Sequence, residues 1–442
     1  MITILLLLLL LAAAPATPAT VSFKGTPDDP SAGAANTALL NQLFSKLQPN
    51  DVLVIENKTF FVAGGVRAAN LINTTIVLDG TLKFLPGRSK WPVQDCAKGG
   101  NPLQPKKNGT CVQECIFFAN MTGLKLTSSG EGTLHGNGQS WWGYIKYLVY
   151  KENRPRLFSI VNATDILVER WNFLQSPYWT FTAYDVADME ISHCNIDNRV
   201  NGDDSHDISN LDAFNTDGFD FAGRNIHIHD VNVWNQDDCA TVQPIGKSGF
   251  NAQCTENILI ERINASGLGL TVGAVHPSRD HNCVRNVTFR DARMHHTFKG
   301  IYVKSGSSFD PEASGEISNI LYENIVMDAP TQVPIWIGPA QEADSKGACS
   351  LLWPTIPFSK CPPPPLNMLM ANITLRNVNI TSPKQSPGVV LGNAKRPMKG
   401  IVFDSVVVTN PGKSPWGDKF YHCEGVEGAA AVHGTSPVPP CF

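Results

Sequence analysis

A short phrase recurs along this chain: a polar residue, often Asn, then alternating apolar positions, then a polar turn. It reads "ATDILVERWNF" from Ala163, "VADMEISHCNI" from Val186, "GRNIHIHDVNVWN" from Gly223 and "TENILIERINAS" from Thr255. It continues as "VRNVTFRDARM" from Val284, "ISNILYENIVM" from Ile317, "MANITLRNVNI" from Met370 and "MKGIVFDSVVV" from Met398. Most intervals run about 24 to 35 residues, with one longer gap around the Pro-rich "CPPPPLN". Alternation with a period of two, carried by Val, Ile and Phe, is a strand signal. Copies at this interval mean stacked supersecondary units, each completing the core of its neighbour. Leucine-rich repeats would need Leu at fixed places, and propeller blades would run longer. Between copies lie Gly, Asn and Asp turns and no capped helical pattern. The pattern predicts an all-β, single-domain right-handed parallel β-helix over residues 20–442. A β-sandwich would need hairpin turns such as Asn-Gly between neighbouring strands, and few are placed that way.

The segment from about Val21 to Val62 precedes the clear repeats and reads as a cap. Leu39, Leu40, Leu43, Phe44 and Leu47 fall at helical spacing and a strand follows. An amphipathic helix there would cover the open end of a solenoid, which otherwise exposes its core. No linker separates a second domain.

The N-terminus, "MITILLLLLLLAAAPATPA", has an apolar run from Ile2 to Ala14 and small residues after it. The run is shorter than the ~20 residues of a membrane span, so residues 1–19 read as a signal peptide, although no Lys or Arg precedes the run. The reading is therefore a secreted, extracellular protein that does not span a membrane. Nine Asn-x-Ser/Thr sequons, at Asn57, Asn73, Asn108, Asn120, Asn162, Asn264, Asn286, Asn372 and Asn379, fit N-glycosylation. The eleven cysteines lack zinc-like CxxC pairs, and local spacing suggests the disulfides Cys239–Cys254, Cys349–Cys361 and Cys423–Cys441. An odd count leaves at least one thiol free or paired between chains. A net charge of −4 argues against nucleic acid as a partner.

The chemistry concentrates in "DAFNTDGFDF" (Asp212 to Phe221) and "NQDDCATV" (Asn235 to Val242). Asp217 precedes Asp237 by 20 residues and Asp238 by 21. One coil of a β-helix returns the chain to the same place about 4.8 Å along the axis, so this spacing lets three carboxylates converge on one face. Like charges held so close raise at least one pKa and set an acid beside a base. His276, His295 and His296 lie nearby. Strand alternation would point one of His295 and His296 inward and the other out. They read as packing or surface groups, since no carboxylate or Cys sits at a metal-ligand spacing from them.

"NTD" at Asn215–Asp217, "QDD" at Gln236–Asp238 and "SPYWTF" at Ser176–Phe181 resemble the signature of glycoside hydrolase family 28, the polygalacturonases and rhamnogalacturonases. "CEGV…PVPPCF" at the C-terminus resembles fungal exo-acting members. The resemblance runs from about residue 80 to the end. It implies a right-handed parallel β-helix and hydrolysis of pectic polysaccharide with inversion at the anomeric carbon. By motif position Asp237 would protonate the leaving oxygen, while Asp217 and Asp238 would activate water. An inverting pair stands about 6.5–9.5 Å apart, which residues on adjacent coils can span. Asn215, Tyr302 and Lys304 would bind substrate, and Cys239 with Cys254 could fix the loop that sets the acidic pair. Two motif positions depart from the family. Its Gly-His-Gly reads Gly267-Leu268-Gly269 here, and its Arg-Ile-Lys reads Tyr302-Val303-Lys304. Lys304 could still hold a uronate as a point charge, but bidentate recognition by Arg is lost.

The resulting expectation is an inverting hydrolase, monomeric and free of cofactor and metal, acting on α-1,4-galacturonosyl linkages of galacturonan. The long inserts "CAKGGNPLQPKKNGTCVQEC" and "GACSLLWPTIPFSKCPPPP" could wall one end of a cleft and favour attack at chain ends. A rhamnogalacturonan hydrolase is the near alternative, since members of that branch also lack the Gly-His-Gly histidine. A pectate lyase, with the acidic triplet as calcium ligands, and a non-catalytic carbohydrate-binding β-helix are the others.

Overall fold

Each recurring phrase begins on a residue that turns the chain. In the computed structural model Asp165, Asp188, Asn225, Asn257, Asn286, Asn319 and Asn372 all take left-handed backbone, with φ between 54° and 60°. Asn and Asp tolerate this conformation because their short side chains bond locally. Here they also bond along the axis. The amide of Asn257 donates to Asn225 at 3.2 Å, Asn286 to Asn257 at 3.4 Å, Asn319 to Asn286 at 3.2 Å and Asn372 to Asn319 at 3.1 Å. The next residue in each phrase points inward, and Ile166, Met189, Ile226, Ile258, Val287, Ile320, Ile373 and Ile401 stack in register through the core. The repeat read from the sequence is thus a turn residue followed by a core residue, once per coil.

The structure describes residues 17–89, 91–96, 109–130, 132–143, 153–200, 212–245, 254–340, 353 and 361–442. They form one right-handed parallel β-helix in which every pairing of the main sheet is parallel. A second row of core residues, Phe158, Phe181, Phe219, Ala240, Leu270, Ile301 and Ile335, backs the sheet that carries the acidic residues. Phe158 and Phe181 stack there with centroids 5.0 Å apart. The N-terminal cap is present: the helix Gly33–Phe44 buries Leu40 and Phe44, with Leu39, Leu43 and Leu47 packed against the core.

Three cysteine expectations fare differently. Cys423 and Cys441 are joined. Cys361 is disulfide-bonded, and Cys349 lies outside the described residues. Cys239 and Cys254 are not joined. Cys254 faces Cys283 across one register step and pairs with it. Cys239 is a buried free thiol, as are Cys115 and Cys194. Loop-closing logic fails at Cys254 because that residue opens a strand, and its near neighbour is the same position one coil on. Cys96 and Cys111 also pair, pinning the antiparallel strands Val93–Asp95 and Thr110–Val112. His295 and His296 are both exposed, because the strand ends at His295 and His296 turns left-handed at φ 48°. Residues 1–16 of the segment read as a signal peptide lie outside the described residues.

Candidate active site

One outward-facing row crosses the sheet: Ser159, Thr182, Asp220, Thr241, Thr271, Tyr302 and Trp336, each the register partner of the next. The acidic segments meet at its middle. Asn215 turns left-handed at φ 57°, half-buried, and delivers Asp217 to the edge of this row. The backbone amide of Gly218 donates to Asp238 O at 2.8 Å, so the two motifs lie on adjacent rungs. A side chain at Gly218 would meet the Cys239 carbonyl at 2.2 Å, so only glycine lets them approach. Asn235 clamps both segments, donating to Thr216 O at 3.0 Å and Asp238 O at 2.8 Å.

The spacing argument holds at the level of atoms. One carboxylate oxygen each from Asp217, Asp237 and Asp238 lies within 4.8 Å of the others. This is closer than the about 6.5–9.5 Å expected of an inverting pair. The reason is the rung spacing of a parallel sheet, which brings like positions together at about 4.8 Å. All three residues are buried.

Their surroundings differ. Asp238 accepts from Lys304 Nζ at 2.9 Å and from Thr271 Oγ1 at 2.5 Å, and its own backbone amide donates to Asp237 Oδ1 at 2.9 Å. Asp217 Oδ1 is buried with no hydrogen-bond partner among the described residues. Burial first, then the charges of Asp237, Asp220 and Asp238, push the Asp217 pKa well above the ordinary carboxylate range. Asp220, which the sequence reading did not single out, is fully buried with Oδ2 unpaired, and burial and Asp238 push its pKa up in the same way. The signal for it was available: it sits three residues after Asp217, in "NTDGFD". Asp217 and Asp220 therefore retain protons at pH values where isolated carboxylates have lost theirs.

Lys304 is brought to the site, but as the partner of Asp238. Tyr302 is fully buried, with its ring 6.0 Å from Trp336, in a cluster that includes Trp353, Val389 and Leu391. It forms part of a wall and is closed to a ligand. The segment that replaces Gly-His-Gly lies where the motif comparison put it. The Leu268 amide donates to Asp237 O at 2.7 Å, and Leu268 itself is buried. Gly267 (φ +83°) and Gly269 (φ +115°) flank it, and a side chain at Gly269 would strike the Gly300 carbonyl at 2.2 Å. On the other flank Arg156 pairs with Glu114 at 3.0 Å and lies 4.6 Å over the Trp179 ring, beside buried Ser159 and Thr182.

A profile of the family described as Glycosyl hydrolases family 28 matches residues 49–432. An exopolygalacturonase of Cochliobolus carbonum is 26% identical over 393 residues, spanning 85% of this chain and 78% of that protein. Exopolygalacturonase B of Aspergillus niger is 26% identical over 373 residues, spanning 77% of each. Among solved structures, a polygalacturonase from Erwinia carotovora ssp. carotovora aligns with a TM-score of 0.64 at 18% identity, covering 94% of this chain and 98% of that one.

Proposed function

The chain belongs to glycosyl hydrolases family 28, and from that premise we propose that it is a secreted, pectin-degrading hydrolase cleaving α-1,4-galacturonosyl linkages from chain ends. The observation that carries the reading is the buried cluster of Asp217, Asp237 and Asp238 with its unequal pairing. Hydrolysis needs a proton given to the leaving oxygen and a proton taken from water. Asp237, the most open of the three at 7% exposure, gives its proton to the glycosidic oxygen as the bond to the anomeric carbon breaks. Asp238, paired with Lys304, takes a proton from the water that attacks that carbon. Asp217 holds a proton and orients this water, so the base work falls on Asp238.

Chain-end attack is supported by the exopolygalacturonase relatives. Secretion is supported by the leader at residues 1–19 and by the disulfides. One observation favours rhamnogalacturonan as the second reading. Both positions assigned to uronate capture are taken, Tyr302 by the wall and Lys304 by Asp238.

Product analysis on homogalacturonan against rhamnogalacturonan tests the assignment. Mono- or disaccharide from the first minutes on homogalacturonan supports the main reading, early long oligomers defeat chain-end attack, and a protein inert on both polymers overturns it. Because the carboxylates stand so close, inversion rests on the family resemblance. Proton NMR of the first product anomer decides it, and a retained configuration would refute inversion alone.

A further inference from the structure

Lys299 immediately precedes the strand Gly300–Ser305 that carries Tyr302 and Lys304. Its side chain runs inside the wall and is 1% exposed. Its ammonium lies 4.5 Å from the Trp336 ring centroid, 5.2 Å from that of Tyr302 and 5.7 Å from that of Phe298. It donates to Gln332 Oε1, and Gln332 Nε2 donates in turn to the Trp353 carbonyl at 3.4 Å. Lys304 shares the same Tyr302 ring, its ammonium 4.6 Å from the centroid and 2.9 Å from Asp238 Oδ2. An unbroken series of contacts therefore runs Gln332–Lys299–Tyr302–Lys304–Asp238.

A buried amine that meets no carboxylate directly among the described residues is expensive, and packing alone would be served by Met or Leu. The aromatic faces offset part of that cost for both ammonium groups. What the second ammonium adds is repulsion. With Lys299 on one side of Lys304 and Asp238 on the other, the lowest-energy seat of Lys304 is against the carboxylate. We propose that Lys299 is a positioning residue for the reaction: its buried positive charge seats Lys304 on Asp238, the base. This rests on the reading of Asp238 given above. Among the described residues the charged groups acting on Lys299 are Lys304 and Asp238. Burial, then Lys304, pull its pKa down to about 7, with Asp238 opposing. It is therefore charged in acid and loses its charge as pH rises through about 7.

The pH profile of kcat supplies the test. Lys299→Met should lower kcat about tenfold at pH 5, the equivalent of one pKa unit of coupling. Lys299→Arg should restore that activity and carry it beyond the pH at which the wild type declines. Gln332→Glu, which leaves the lysine in place, should move the alkaline limb upward. Unchanged limbs in Lys299→Arg and Gln332→Glu would overturn the proposal. A readout independent of turnover follows the pH dependence of tryptophan emission, since Trp336 lies beside the ammonium. Its midpoint should fall in Asp238→Asn and rise in Lys304→Met; midpoints that ignore both variants refute the coupling even if no pectic substrate is cleaved.

Discussion

Two acidic groups in this molecule sit on the same scaffold and behave oppositely. On the sheet of long strands, Glu261 is buried yet meets three donors: Arg262, Arg290 at 2.5 Å, and His227 at 3.1 Å. Burial raises its pKa, and the hydrogen bonds of Arg290, Arg262 and His227 more than reverse this, to about 2. At the acidic cluster, Asp217 and Asp220 lie deeper and face other carboxylates, and their pKa values move up. Depth of burial and the supply of counter-charge together decide which carboxylates become structure and which keep a proton for chemistry.

The comparison can be broken most severely at Asp237. Asp237→Asn should cost roughly 10³–10⁴ in kcat with the fold intact, measured as reducing-end release alongside circular dichroism. A smaller loss would mean that another carboxyl of the cluster is the acid. Asp217→Asn probes the stability side. A carboxyl with a raised folded pKa binds more protons native than unfolded, so its contribution falls as pH rises from its ordinary value through the raised one. Removing the charge should therefore stabilise the protein at pH 7 by ~1–2 kcal/mol while activity drops, as a higher urea midpoint would show. A lower midpoint would show that Asp217 is paired in solution. The smallest effect belongs to Glu261→Gln, with the opposite sign. Glu261 contributes stability that is fully present above its unfolded pKa and is lost as pH falls toward about 2. The variant should lose ~1 kcal/mol at pH 6, converge with the wild type near pH 2, and leave turnover unchanged.

Much of the fold was legible because one local event repeats. A left-handed Asn or Asp followed by an inward Ile needs only its neighbours to be recognised, and Asn225-Ile226, Asn257-Ile258 and Asn319-Ile320 print it plainly. The meeting of Asp217 with Asp237 and Asp238 was legible for the same reason, since one coil of chain separates them. Four features were not legible. The place of Asp220 three residues after Asp217 was visible, but not its burial with Oδ2 lacking a hydrogen-bond partner among the described residues. Lys304 reaches Asp238 from 66 residues away, so only the axial stacking of later coils shows that it serves the base. Tyr302 and Trp336 became a wall through contacts with Trp353, which belongs to an insert. Cys254 chose Cys283 by register, against the shorter loop to Cys239.

The amino-acid sequence by itself determined the coil, the cap and the convergence of three carboxylates, because each depends on local turn preference and on the length of one repeat. The tertiary structure alone decided which carboxylate is paired, which holds a proton and which lysine is hidden, because burial and counter-charge are properties of neighbours that the chain supplies from several coils away.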